Sequence, residues 1–293
     1  MGKLLERRKA VSHFEKIAGS GSIEHCTMSS DVLGVSKEFS VYLPSGYEES
    51  GARYPVLWLL HPAGGTHETW IKQGQLPQVA DDAIRSGMAL PMIIVMPDAS
   101  GMDQAHLGKR LGFFSAPGWD YEAFFRTELI PLLGTAYRTR TERRQRAIAG
   151  ASMGGEAAIA YAQKDPGLFG AACALSGLLG HPEQSRMAHT DKDYAAALIA
   201  NDPLRYVENA SPEDAEKLKT VRWYADCGDN DFFYEGNAEF FLAMKAKGIP
   251  LAYRMRSGVH NWHYWVTGLA PVLGFVSTGF AARAPAEAPA EEG

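Results

Sequence analysis

The stretch Gly150-Ala151-Ser152-Met153-Gly154-Gly155 constrains this chain more than any other. It follows Arg146-Ala147-Ile148-Ala149, a short run that reads as a buried strand, and precedes Glu156 to Lys164, an alanine-rich segment with strong helix propensity. A strand that turns directly into a helix at a G-x-S-x-G needs residues with little side chain two places either side of the serine. Only then can strand and helix approach each other. The serine hydroxyl is left at the tip of a sheet, and the first helical amides point toward whatever it attacks. Chance supplies roughly 0.2 copies of such a pattern in a chain this rich in glycine. The pattern therefore gains weight only from its surroundings.

Those surroundings alternate strand and helix. Ile23 to Ser29 and Lys37 to Leu43 read as a β-hairpin around the turn residues Asp31 to Gly34. Tyr54 to Leu60 is a continuous apolar run, as expected of a strand buried on both faces, and ends at His61-Pro62-Ala63-Gly64-Gly65. Gln78 to Gly87 reads as a helix and Met92 to Met96 as a second buried strand, which together make a βαβ unit. A helix is expected from Tyr121 to about Tyr137, bent at Pro131. Further strands are expected at Ala171 to Ser176, Val221 to Asp226 and Leu251 to Arg256, with helices over Glu235 to Lys247 and Trp262 to about Phe275. The pattern predicts an α/β fold: a mostly parallel central sheet with helices on both faces. Residues 1–21 read as a leader or short helix and 22–280 as one catalytic domain. Within it, 99–120 and 177–219 are loop or cap excursions, and the Ala/Pro/Glu-rich 281–293 reads as a disordered tail.

Composition narrows the function. A chain of 293 residues supports one large α/β domain, and a net charge of -5 offers no general attraction to nucleic acid or an anionic membrane. No stretch reads as approaching the roughly 20 apolar residues of a membrane span, so neither nucleic acid nor membrane is an expected partner. Cys26, Cys173 and Cys227 are widely spaced and odd in number, which fits buried reduced thiols better than disulfides or zinc. Residues 1–10 are charged and lack an apolar core, so no secretory signal is read there. A cytoplasmic protein is expected, with secretion requiring that a signal has been removed.

In an open parallel sheet, ligands bind outside the carboxyl ends of the strands. Four polar strand ends should therefore converge. They offer the Ser152 hydroxyl, a carboxylate from Asp229 or Asp231, the His260 imidazole, and the turn after Leu60. A serine needs a histidine to accept its proton, and the histidine needs an acid to hold its tautomer. The chain order Ser, acid, His is that of the α/β-hydrolases. Asp226 still belongs to its strand, while Asp229 and Asp231 both stand in the following loop. The oxyanion of an acyl-transfer intermediate would be held by the amide of Met153 and by one from the turn after Leu60. Pro62 has no N–H, which leaves Ala63 first and Gly64 second. His260 and His263 lack an acidic third ligand nearby, so a metal pair is not expected. Phe113, Phe114, Trp119, Trp262 and Trp265 are read equally as core or as the wall of an acyl pocket. Gly64, Phe113, Trp119 and Trp262 are carried forward as substrate-binding candidates.

Several segments resemble the esterase D-like esterase family, whose members include tributyrin-type esterases, S-formylglutathione hydrolases, feruloyl and acetyl-xylan esterases and mycolyltransferases. The similarity spans about residues 22–275. It rests on Phe39 to Tyr47, Tyr54 to His61 with Gly64, Gly65 and Trp70, Gly150 to Gly155, Asp165 to Phe169, Ala174 to Gly177, Cys227 to Phe232 and Gly258 to Trp265. The resemblance implies an α/β-hydrolase domain acting through an acyl-serine intermediate on a small-molecule or carbohydrate ester, with no metal or organic cofactor. It also implies that the acid is Asp231. Many members carry Gly where this chain has Pro62. The expected activity is serine carboxylester hydrolysis. The alternatives are acyl transfer to a sugar or alcohol, and a binding protein on a hydrolase fold.

Overall fold

The computed structural model describes residues 5–9, 19–101, 112–184 and 192–281. Nine strands make one sheet among them: β1 Leu5–Lys9, β2 Ser22–Ser29, β3 Ser36–Leu43, β4 Val56–Leu60, β5 Ile93–Pro97, β6 Arg146–Ala151, β7 Ala171–Leu175, β8 Arg222–Gly228 and β9 Leu251–Arg256. Their spatial order is β1-β2-β3-β5-β4-β6-β7-β8-β9. From β5 through β9 every pairing is parallel, while β1, β2, β3 and β5 pair antiparallel.

The apolar runs are explained by burial on two faces. Val56, Trp58 and Leu60 of β4 enter one apolar cluster, and Leu57 and Leu59 enter the other. Strand side chains alternate between faces, so a strand covered by helices on both sides must be apolar at every position. The helix Met153–Lys164 covers the first face through Ala157 and Ile159, joined by Phe240 and Met244 of the helix Tyr234–Ala246. The helices Leu76–Arg85 and Trp262–Ala281 cover the second through Leu76, Ala80, Leu269, Val272 and Val276. Cys26, Cys173 and Cys227 are buried free thiols, and burial pushes the Cys26 thiol up to about 11.

Two expectations are corrected, and a third gains detail. Leu5–Lys9, read as part of a leader, is a strand paired antiparallel to β2, with Arg7 opposite Cys26 and its guanidinium donating to the Ala136 carbonyl at 2.7 Å. Its charges hid it. A solvent-facing edge strand tolerates them, and they discourage pairing with another chain. The helix expected over Tyr121 to Tyr137 carries, just before Pro131, a wide turn Phe125–Leu129 with an i to i−5 bond from Ile130 N–H to the Phe125 carbonyl. Pro131 falls in the first turn of Ile130–Ala136, where its missing N–H is tolerated. The last helix runs on to Ala281 and is long and apolar enough, by length and composition alone, to cross a membrane. Half of that span is buried within the fold, which accounts for its apolarity here.

The excursion after β7 contains the helices Lys192–Ala200, Pro203–Glu208 and Pro212–Lys219. Leu198, Val207 and Leu218 from these helices join the first cluster, so the segment packs on the domain. Residues 102–111 of the first excursion, 185–191 of the second, most of the leader and the tail beyond Ala281 lie outside the described residues. β4 has β5 on one side and β6 on the other. The order in which strands are added reverses there, which opens a crevice beyond the carboxyl ends of β4 and β6.

Candidate active site

β6 ends at Ala151 and the next helix begins at Met153, leaving Ser152 alone between them with φ 53° and ψ −121°. A non-glycine residue held there stores about 1–3 kcal/mol of strain. Its backbone is tied on both sides, with Ser152 N–H donating to the Leu175 carbonyl at 2.9 Å and Glu156 N–H to the Ser152 carbonyl at 3.0 Å. The flanking glycines are required by contact. A Cβ on Gly150 would stand 2.9 Å from Gly154 Cα, and one on Gly154 would stand 2.6 Å from the Leu60 carbonyl carbon. Those distances lie inside van der Waals contact.

From this turn runs a continuous hydrogen-bonded chain. Ser152 Oγ lies 2.9 Å from His260 Nε2, and His260 Nδ1 lies 3.0 and 2.9 Å from the two Asp231 oxygens. The carboxylate at Nδ1 holds the ring proton there and leaves Nε2 to accept from the serine. Asp231 is buried and its Oδ1 also accepts the Phe233 N–H at 2.9 Å. The imidazole is held by ring contacts with Phe232, Phe233 and Trp265 at centroid distances of 4.2, 5.3 and 4.9 Å.

The three neighbouring aspartates separate cleanly. Asp229 Oδ1 accepts the Gly258 N–H at 3.0 Å, tying the acid loop to the histidine loop without touching the ring. Asp226 is fully buried and bonded to Arg256 Nε at 3.0 and 2.8 Å, to the Tyr224 hydroxyl at 3.1 Å and to the Tyr264 hydroxyl. Of the three, Asp231 alone meets the imidazole.

The turn after β4 is held from below. His61 is buried, its Nδ1 2.9 Å from the Pro62 carbonyl and its Nε2 accepting the Ala99 N–H at 3.0 Å. Burial lowers its pKa, which keeps the ring neutral with the proton on Nδ1. Gly65 N–H donates to the Pro62 carbonyl at 3.0 Å, closing a turn in which Gly64 takes φ 74°. Trp70 Nε1 donates to the Leu60 carbonyl at 2.9 Å and so pins the end of β4. Ala63 and Met153 both border the cavity that contains Ser152 and His260.

That cavity has a volume of about 440 Å³, the size of a small-ligand site. Trp262 lines it, as expected, with Trp265 beside it. Phe113 and Trp119 do not. Phe113 packs on His61 and Tyr121, and Trp119 stacks on Tyr121 while its Nε1 donates to the Gly112 carbonyl, so both are core. Gly64 is exposed and, among the described residues, does not line the cavity; its left-handed φ serves the turn. Sequence reasoning missed Phe232, Phe233, Leu178, Tyr194 and Glu156, which all line it. Glu156 was the one within reach of pattern alone, because it stands in the first turn of the helix that follows Ser152.

The profile of the family described as "Putative esterase" matches residues 30–276. The chain belongs to this esterase family. A solved ferulic acid esterase is 38% identical to this esterase-family chain, with a TM-score of 0.82 over 89% of this chain and 100% of that one. The endo-1,4-beta-xylanase/feruloyl esterase of Xylanibacter ruminicola is 33% identical over 60% of this chain and 23% of its own length. The S-formylglutathione hydrolase of Agrobacterium tumefaciens, 22% identical with a TM-score of 0.73 over 95% of this chain and 99% of its own, shares the fold. The chain spans 23% and 30% of the first two curated relatives it matches, the second being an esterase of Mycobacterium tuberculosis 35% identical over half of this chain.

Outside the cavity, His181, Glu183 and Asp202 bring potential ligand atoms within 4.8 Å of one another. Arg205 already pairs with Glu183, and with Asp202 at 3.7 Å, so this esterase-family chain uses the group as an ion-pair cluster around a buried helix cap.

Proposed function

We propose that the protein is a serine carboxylesterase in which Ser152 is the nucleophile, His260 the general base and acid, and Asp231 the residue that orients it. The observation that carries this is the unbroken chain from Ser152 Oγ through His260 to Asp231, with contacts of 2.9 to 3.0 Å. Ser152 Oγ attacks the ester carbonyl carbon while its proton passes to His260 Nε2. The oxyanion is held by the Met153 amide at the helix start and by the Ala63 amide, each worth about 3 kcal/mol. Collapse breaks the bond to the alcohol, which leaves with the proton from Nε2. Water then gives a proton to Nε2 and attacks the acyl-serine, releasing the acid and returning the proton to Oγ.

The substrate proposed is an ester with an aromatic or short acyl group. The apolar lining of the cavity supports this, as do relatives named for feruloyl and acetyl ester cleavage. A fluorophosphonate probe should label the wild-type protein and not Ser152→Ala. A panel of nitrophenyl acetate, acetylated sugars, methyl ferulate and S-formylglutathione should then rank the acyl groups. Equal labelling of both proteins would remove Ser152 from the reaction.

A further inference from the structure

Among the described residues that line the cavity, Glu156 is the one carboxylate. It is 1% exposed, borders the cavity, and its Oε1 has no hydrogen-bond partner. Leaving a buried polar atom unpaired costs about 1–3 kcal/mol, so an apolar residue of the same size would serve the fold better. Glu156 stands in the first turn of the helix that follows Ser152 and borders the same cavity, so it can meet the body of a substrate whose carbonyl sits on Oγ. Around it the walls are aromatic and aliphatic, including Leu178, Tyr194, Phe233 and Trp265. A flat apolar group fits between such walls, and the Glu156 carboxyl, with Trp265 Nε1 as the other unpartnered polar group among the described lining residues, offers it a polar end.

We propose that Glu156 is a specificity-determining residue that hydrogen-bonds a hydroxyl carried by the aromatic part of the ester. This rests on the esterase reading of the same site. Burial, reinforced by Asp202, raises the Glu156 carboxyl well above the ordinary range and so favours the neutral form, which both donates and accepts. A site built to pair a buried hydroxyl discriminates against the analogue lacking it more strongly than a hydrophobic pocket discriminates by size.

The test compares methyl 4-hydroxycinnamate with methyl cinnamate. The ratio of their kcat/KM values should fall at least tenfold in Glu156→Leu and stay within about threefold of wild type in Glu156→Gln, a neutral isostere with donor and acceptor. Binding of the same two esters to Ser152→Ala and to Ser152→Ala/Glu156→Leu, measured by calorimetry, should show the same loss of preference. Thermal melting identifies any variant that fails to fold, and Glu156→Leu should melt no lower than wild type. A ratio unchanged in Glu156→Leu, or lost equally in Glu156→Gln, overturns the assignment. Failure of the wild type to hydrolyse either ester would instead count against the esterase reading, and the binding ratio would still decide for or against Glu156.

Discussion

Asp231→Asn alters one proton at the centre of the site and leaves its shape alone. The native carboxylate presents oxygens at 3.0 and 2.9 Å to His260 Nδ1, and Oδ1 also takes the Phe233 N–H at 2.9 Å. Asparagine can keep the Phe233 bond through its own Oδ1, which turns its amide NH2 toward the ring. The imidazole then presents Nδ1 as acceptor and carries its proton on Nε2, where it donates to Ser152 instead of accepting from it. The serine loses its base. With geometry preserved, the loss should be about 10³- to 10⁴-fold in kcat, roughly 4–5.5 kcal/mol of barrier, with a much smaller change in KM. Asp229→Asn is the control in the same loop. Its Oδ1 accepts from Gly258 N–H at 3.0 Å and from Asn230 at 2.8 Å, and an amide oxygen serves both. Its loss should stay within about threefold. Steady-state kinetics on nitrophenyl acetate, with circular dichroism to verify folding, measures both. If Asp229→Asn were the more damaging substitution, the reasoning from tautomer control would be refuted.

Two further outcomes follow from the same contacts. Gly154→Ala puts a methyl 2.6 Å from the Leu60 carbonyl carbon and 2.7 Å from the His61 oxygen, both backbone. It should destabilise the fold by about 1–3 kcal/mol and lower kcat by shifting the turn after β4; a urea midpoint equal to wild type would contradict the packing. Glu156 has its folded carboxyl pKa raised by burial and then by Asp202, well above the ordinary glutamate range. The folded state therefore holds a proton that the unfolded chain releases. The associated stability is complete below the ordinary glutamate pKa and is lost as pH rises toward the folded value, by at most about 1.4 kcal/mol per pH unit. Glu156→Gln removes this dependence, so its stability relative to wild type should rise with pH in urea titrations. A constant difference would mean that the carboxyl is ionised in the folded protein.

Where sequence reasoning succeeded, the governing forces are local or periodic. The elbow was legible because a tight strand-to-helix turn admits only small residues at Gly150 and Gly154. The buried strands were legible because burial on two faces removes polar positions from runs such as Val56–Leu60. β1 was missed because a five-residue edge strand of charged residues owes its conformation to pairing with β2, a contact its own sequence does not encode. Phe113 and Trp119 look like pocket residues in sequence, since an aromatic in a long loop serves a core or a cavity equally well. Only packing against His61 and Tyr121 assigns them to the core.

By itself, the sequence of this protein determined the α/β alternation, the serine at the elbow and the order of serine, acid and histidine. Spacing and steric exclusion along one chain suffice for those. Choosing between Asp229 and Asp231 from the residues alone was beyond it, because both stand in one loop and differ only in what faces them. The tertiary structure sets the Gly258 amide against the first and the His260 ring against the second. It likewise placed Glu156 unpaired in the cavity wall, since the walls come from segments far apart in the chain. Hydrogen bonds across such distances depend on how the strands stack in the sheet, which no local pattern records.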